Sequence, residues 1–522
     1  MRFFLLLVTV VFAGLPASAQ ATSEAAPKPN ILLIMADDMG FSDLGCYGGE
    51  INTPNLDRLA SGGVRFTQFY NAARCCPTRA SLLTGLYPHQ VGMGGMVAAH
   101  DADRASGSYQ GYLATEGCLT LAEALAPAGY RSYMSGKWHV GEHRDHWPHT
   151  RGFERYFGLI SGASSYYELI ADQPRLRQMA LDSSRWEPAR EGFYMTDAIT
   201  DHAVQWLQQH YRESPQQPFF LYVAYTAPHW PLHALPEDVE QYEGMYDEGW
   251  DQLRRRRYQR QRQIGLFDSS VQLSQRPDDI PPWDSISNKA DWARRMQVYA
   301  AMIDRMDQGI GRILTTLRRS GRLDNTIVLF LSDNGACHED ISERQLHDPE
   351  APIGTRGSYA AYRRPWANAS NTPFRLYKSW AHEGGSASPF IVHWPAGQLP
   401  AGAFIDQAAH VIDLMPTLLE LAGASYPDTY RGKATTALEG ISLLPYLHGR
   451  RLVDRILFWE HFGNAAIRQS DWKLVREKDS DWELYDLSLD RAEQDNLIEE
   501  WPRQARALQQ LYYHWAGRVG VR

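Results

Sequence analysis

The chain is short of cysteine, of net positive charge and of long apolar runs, and each shortage removes a class of protein. Its five cysteines, Cys46, Cys75, Cys76, Cys118 and Cys337, are too few in 522 residues, and too odd in number, for a disulfide-stapled scaffold. Lys and Arg number 52 against 61 Asp and Glu, a net charge of −9. Nucleic-acid backbones are bound through an excess of cations, so no nucleic-acid partner is expected and an anionic substrate must meet a local positive pocket. There is no internal repeat or low-complexity tract. What remains, 44% hydrophobic and 12% aromatic, is enough to bury the core of a large enzyme with a smaller appended unit.

The longest apolar run, Phe3 to Leu15, falls short of the roughly 20 residues of a spanning helix. With Arg2 before it and Ala17-Ser18-Ala19 after it, the run matches a secretory signal peptide over residues 1–19. The expectation is an exported, periplasmic or secreted protein with no stable membrane insertion.

Five apolar runs read as buried strands separated by amphipathic helical stretches: Ile31–Met35, Tyr130–Met134, Phe219–Val223, Ile327–Leu331 and Phe390–Val392. The predicted fold class is α/β: a large, mostly parallel mixed sheet flanked by helices over residues 28–430, and a smaller α+β subdomain over 440–522. In the latter, Trp472–Val475 and Trp482–Leu487 read as paired strands and Arg503–Trp515 as a covering helix. Residues 231–297 break the rhythm and read as a peripheral insertion, with Arg254-Arg255-Arg256-Arg257 as a solvated helix face.

Four of the five strands end in polar residues: Asp37-Asp38, Gly136-Lys137-Trp138-His139, Ala227-Pro228-His229 and Ser332-Asp333-Asn334-Gly335. The carboxyl edge of an open α/β sheet is where ligands bind, so a shared site is predicted there. Asp37 and Asp38 would repel by roughly 4 kcal/mol at about 4 Å in a medium of effective dielectric near 20. Together with Asp333 and Asn334 they form an all-oxygen set suited to a hard divalent cation. The competing reading is an Asp pair bonded to the backbone amides of a turn. Tetrahedral zinc is not expected, for want of clustered His or Cys. A fifth segment, Cys75-Cys76-Pro77-Thr78-Arg79, reads as the entry turn of a helix, with position 75 at a partially positive terminus that favours anions.

Cys75-x-Pro77-x-Arg79 resembles the modification motif of type I sulfatases, in the alkaline phosphatase superfamily, where the cysteine is oxidised to formylglycine. Gly129-Tyr130-Arg131-Ser132 through His139 resembles that family's second signature, Ala227-Pro228-His229 a third, and Lys378 before Glu383-Gly384-Gly385 its second active-site lysine. Ala387 departs from the family pattern, which often has arginine there, and Thr78 from its usual serine. The resemblance, to bacterial arylsulfatases, runs from Asn30 to about Asn496. It implies hydrolysis of aryl or similar sulfate esters by a formylglycine hydrate at Cys75, made by a formylglycine-generating maturation enzyme. It also implies a divalent cation, calcium or alternatively magnesium, held by Asp37, Asp38, Asp333, Asn334 and the residue at 75. Arg79, Lys137 and Lys378 are expected to hold the sulfate oxygens, and His229 to protonate the leaving oxygen. His139 is expected to deprotonate the second hydroxyl of the hydrate, which expels sulfate and restores the aldehyde. Phosphonate monoester and phosphodiester hydrolases share this nucleophile and metal and form the alternative reading. A metal-free cysteine hydrolase and a sulfate-binding protein are rivals from other classes. Loop Gly158–Arg190 is expected to shape the leaving-group side, its aromatics suiting an aryl group.

Overall fold

The computed structural model describes residues 28–98, 107–172, 175–344, 346–451 and 454–522. The expected signal peptide lies outside the described residues.

The central sheet is built from β1 (Asn30–Ala36), β2 (Val64–Tyr70), β3 (Arg131–Gly136) and β4 (Arg155–Leu159) in the first part of the chain. A separate hairpin, β5 (Ala171–Asp172) with β6 (Arg175–Leu176), follows. The sheet then adds β7 (Met179–Leu181), β8 (Ser184–Trp186), β9 (Phe219–Ala224), β10 (Thr326–Ser332), β11 (Ala387–His393), β12 (Ala403–Ile405) and β13 (Ala409–His410). Their order is β12-β2-β11-β10-β1-β9-β3-β4-β7-β8, with β13 continuing beside β2. The centre, β10-β1-β9-β3-β4, is parallel. The Phe390 run, part of β11, is antiparallel to both β10 and β2. Its entry, rather than its exit, therefore lies at the edge where the neighbouring strands end.

β1 is buried along its whole length, and its pleat explains why its sequence is a continuous apolar run. Leu32 and Ile34 feed the core on one face, and Ile31, Leu33 and Met35 that on the other. Helix Lys289–Arg319 covers the first face with Met296, Ala300, Ile303, Ile310 and Leu317, steps of three, four and seven residues that make one apolar stripe. Helices Cys75–Thr84 and Leu414–Ala422 pack into the second.

The segment 231–297 is not peripheral. Trp250, Leu253 and Trp283 belong to the first core, and helix Gly249–Gln263 carries the arginine run. Arg255 and Arg256 are exposed, as expected of a solvated face. Arg254 and Arg257, three residues apart on the inner face, are buried at 4% and 1% exposure. Arg257 reaches Asp43 at 2.6 Å and Glu50 at 2.8 Å. Asp43 in turn accepts the Gly40 amide at 2.8 Å and the Tyr299 hydroxyl at 2.7 Å. A buried ion pair in the insertion thus fixes the loop that leaves β1.

After a short ribbon of β14 (Thr429–Tyr430) and β15 (Lys433–Ala434), the chain forms an antiparallel sheet. Its strands are β16 (Ile456–His461), β17 (Asn464–Gln469), β18 (Trp472–Arg476) and β19 (Glu483–Asp486). Helix Pro502–Val519 lays Leu508, Tyr512 and Trp515 on Ile467, Leu474 and Leu484. This is the small C-terminal sheet subdomain anticipated from its alternating pattern.

Candidate active site

Strand register levels one edge of the sheet. Ser332 pairs with Ala36, Met35 with Ala224, and Ala224 with Gly136. The residues that follow, Asp333, Asp37 and Lys137, therefore emerge side by side, and the loop after β9 brings in His229. β2 runs in the same direction as β10 because two antiparallel pairings separate them. Its exit leads at this edge to helix Cys75–Thr84, with Cys75 in the first turn.

The predicted residues converge. Lys137 Nζ donates to Asp37 Oδ2 at 2.5 Å, and Lys378 Nζ to Asp38 Oδ2 at 2.8 Å. Asn334 Nδ2 donates to Asp38 Oδ1 at 2.8 Å, and the Asp38 amide to Asp333 Oδ1 at 3.1 Å. His229 Nε2 lies 3.4 Å from Asp38 Oδ2 and 3.5 Å from Lys378 Nζ. Cys75 Sγ, Cys76 Sγ and a His139 ring nitrogen lie within 4.8 Å of one another. Every one of these side chains is buried.

Arg79 joins the same cluster, its Nη2 also 3.4 Å from Asp37 Oδ1. Its Nε and Nη2 donate to Asp333 Oδ2 at 3.1 and 2.7 Å, and Nη1 donates to the Lys137 carbonyl at 3.0 Å. The guanidinium is fully buried and turned to Asp333 and the Lys137 backbone.

The edge carries backbone strain. Asp38, Ala73, His139 and Ser379 have φ of 68°, 59°, 54° and 85°, values that side chains other than glycine rarely adopt. Strain of about 1–3 kcal/mol per residue persists only where surrounding contacts over-determine the conformation. Gly162 allows close approach to His139, since a Cβ there would sit 2.4 Å from Nε2. At Gly335 a Cβ would meet the Gly384 carbonyl at 1.8 Å, so the two loops touch through backbone.

The donor set fits a hard cation. Asp37 Oδ1 and Asn334 Oδ1 are buried oxygens without hydrogen-bond partners. Burial, with Asp333 and Asp38 alongside, outweighs Lys137 and Arg79 and raises the Asp37 carboxyl well above its usual range, as in a site short of positive charge. At Asp38 burial is overcome by Lys378 and His229, which hold the carboxyl below its usual range. The turn reading of the Asp pair does not describe this geometry, because the side-chain partners of both carboxylates come from segments distant in the sequence. One premise fails: clustered soft donors do exist, in Cys75, Cys76 and His139. They form a second donor group of different chemistry from the oxygens.

The setting at position 75 favours negative charge. A hydrogen bond from Cys76, together with His139, Lys137 and Lys378, holds the Cys75 thiol well below its ordinary range against the effect of burial. Burial lowers His229 to about 3, leaving it neutral, and its Nδ1 meets the Trp230 carbonyl at 2.6 Å. Lys378 stays charged although buried, because Asp38, Cys337 and Glu339 surround it.

Several participants were not legible as site residues. Arg74, at the helix N-cap, lies 2.9 Å from Glu339 and donates to Ser379 Oγ at 2.6 Å. His461, at the end of β16, brings the C-terminal subdomain close enough for Arg74 and Cys75 to act on its charge. Glu383, beside the glycine loop, is buried between Lys473 at 2.9 Å and Arg491 at 2.6 Å. Those cations come from the C-terminal subdomain and neutralise Glu383 in a chain that has Ala387 where arginine is common.

Comparison with known proteins gives a consistent result. The family model described as Sulfatase matches residues 29–424, and that described as N-sulphoglucosamine sulphohydrolase, C-terminal, matches residues 374–515. An uncharacterised sulfatase of Schizosaccharomyces pombe is 35% identical, covering 95% of this chain and 94% of its own. An arylsulfatase of Klebsiella aerogenes is 34% identical over 84% of this chain and 94% of its own. The crystal structure of Ps i-CgsB in complex with k-i-k-neocarrahexaose superposes with a TM-score of 0.69 at 25% identity, covering 94% of this chain and 93% of that one.

Proposed function

The chain belongs to the sulfatase family, and we propose that it is an exported arylsulfatase that cleaves aryl or similar sulfate esters, with formylglycine at position 75 as nucleophile. The single observation that carries this reading is the convergence of Cys75, at a helix N-terminus, with three carboxylates, an asparagine and three cations.

Asp37, Asp38, Asp333 and Asn334, with the group at 75, would hold a divalent cation, calcium or magnesium. Such an ion supplies Lewis acidity to a sulfate oxygen and favours ionisation of the attacking hydroxyl. Charge supports an ester of one negative charge: the carboxylates of Asp37, Asp38 and Asp333 cancel Arg79, Lys137 and Lys378. The dication's two positive charges then match one sulfate ester anion and one ionised hydroxyl. A dianionic phosphate monoester would leave the site overcharged.

Lys137 and Lys378, whose ammonium groups lie on Asp37 and Asp38, would hold the sulfate oxygens. Arg79 serves as a positioning residue, because its donors orient Asp333 and the Lys137 backbone. Neutral His229 presents an Nε2 lone pair towards the Lys378 ammonium. The proton for the leaving oxygen is therefore delivered by Lys378 and His229 as a pair. His139, beside position 75, takes the proton from the second hydroxyl when sulfate departs. Burial of the whole edge strengthens each of these electrostatic interactions.

The test is a side-by-side comparison of metal-dependent kcat/KM for an aryl sulfate and an aryl phosphonate monoester on the matured protein. A strong sulfate preference is expected. A phosphonate preference would move the protein to the alternative hydrolase class while keeping the site.

A further inference from the structure

On the side of the site where Lys378 and His229 stand, three residues from three loops form a rigid polar bridge. Arg74 precedes the nucleophile position at the helix N-cap, Glu339 lies six residues after Asp333, and Trp230 follows His229. Glu339 Oε1 is 2.9 Å from Arg74 Nη1, and Glu339 Oε2 accepts from Trp230 Nε1 at 2.8 Å. The indole is itself held, its ring 4.5 Å from that of His229 and 4.6 Å from the Arg344 guanidinium. Arg74 is anchored a second time on Ser379. Unlike the fully buried residues around Asp37, the Arg74 and Glu339 side chains are 18% and 24% exposed, so part of each is open to solvent.

This bridge has unused hydrogen-bonding capacity. Among the described residues each carboxylate oxygen of Glu339 has one side-chain partner and can accept a second hydrogen. Arg74, with its Nε buried, braces the carboxylate from behind. A partly exposed acceptor thus stands next to the pair that protonates the leaving oxygen. A hydroxyl on the leaving group donates to it, whereas a bare hydrocarbon ring would leave it unanswered.

From this placement we propose that Arg74 and Glu339 form a leaving-group subsite that selects sulfate esters bearing a free hydroxyl on the carbon next to the esterified one. The inference rests on the sulfate-ester reading and refines its substrate class. The same adjacent hydroxyl occurs in phenolic and in carbohydrate leaving groups. Glu339 is a specificity-determining residue, held in position by Trp230.

The test measures kcat/KM on matured enzyme for two pairs of esters: catechol monosulfate against phenyl sulfate, and galactose 3-sulfate against cyclohexyl sulfate. The hydroxylated member of at least one pair is expected to be favoured by about tenfold, the effect of one charge-assisted hydrogen bond. Which pair shows the preference identifies the source of the leaving group. In Glu339→Gln, which keeps the size of the side chain, that ratio is expected to fall to within about twofold. Equal ratios in wild type, or a preference that survives in the variant, would overturn the subsite. Dissociation constants for the same esters on the Cys75→Ala chain give the ratio without turnover. A wild type that binds these esters with the predicted ratio but hydrolyses none would refute the function proposed above and leave the subsite standing.

Discussion

Replacing Lys473 by methionine should destabilise the protein and misplace a loop of the site that is distant from it in sequence. Lys473 Nζ lies 2.9 Å from Glu383 and 2.8 Å from Glu493, and all three side chains are fully buried. Two carboxylates would then share Arg491, and removing one partner of a buried ionic network costs about 3–5 kcal/mol. In the intact protein burial would raise the Glu383 carboxyl, but Lys473, Arg491 and Arg468 hold it at about 2. Without Lys473 burial is opposed only by Arg491 and Arg468, and the expected outcome is a folded pKa above the unfolded value of about 4.3. A group with a raised folded pKa stabilises below its unfolded pKa and loses that contribution as pH rises through the folded one. Urea unfolding of Lys473→Met should therefore show a larger deficit at pH 8 than at pH 5. The double variant Lys473→Met with Glu493→Gln restores charge balance and should recover at least about 1.5 kcal/mol relative to additivity, as coupled neighbours do. A deficit below about 1 kcal/mol, or strict additivity, would refute the claim that the C-terminal subdomain neutralises Glu383.

Other perturbations give separable results. Gly335→Ala drives a Cβ onto the Gly384 carbonyl, so the Asp333-Asn334 loop must shift; since misplacement by about 1 Å can cost roughly 100-fold, kcat/KM should fall by at least tenfold, checked with an aryl sulfate. Burial lowers His233 to about 4 and His410 to about 3, so each stabilises fully above about pH 6.5 and loses that stability as pH falls towards its folded value. Each should account for about 1.6 kcal/mol of lost unfolding free energy between pH 6.5 and 5, and a flat profile there would contradict their burial as neutral rings. Chelation should abolish turnover, with recovery on adding calcium or magnesium, and Asn334→Ala should raise the concentration of metal needed for half-maximal activity.

The buried strands were legible because a parallel strand covered on both faces is a continuous apolar run, against which Asp37-Asp38 or Asp333-Asn334 stands out. Register then did what sequence cannot, bringing residues some 300 positions apart to one edge. The arginine run misled because four consecutive cations look uniformly solvated, whereas helical spacing sends Arg254 and Arg257 inward together. Arg74, Glu339 and the Glu383-Lys473 pair owe their places to contacts between distant loops, which leave no periodic trace. Lys378 was found only through its motif, and the 2.8 Å contact with Asp38 supplies the physical reason for its position.

The central claim is that the residue at 75 acts as an aldehyde hydrate rather than as a thiol. Mass analysis of the peptide carrying Cys75, from preparations matured to different extents, tests it most directly when the converted fraction is plotted against kcat. The account predicts a straight line through the origin, with no turnover by the unconverted chain. Full sulfatase turnover from a chain whose Cys75 is an intact thiol would contradict it.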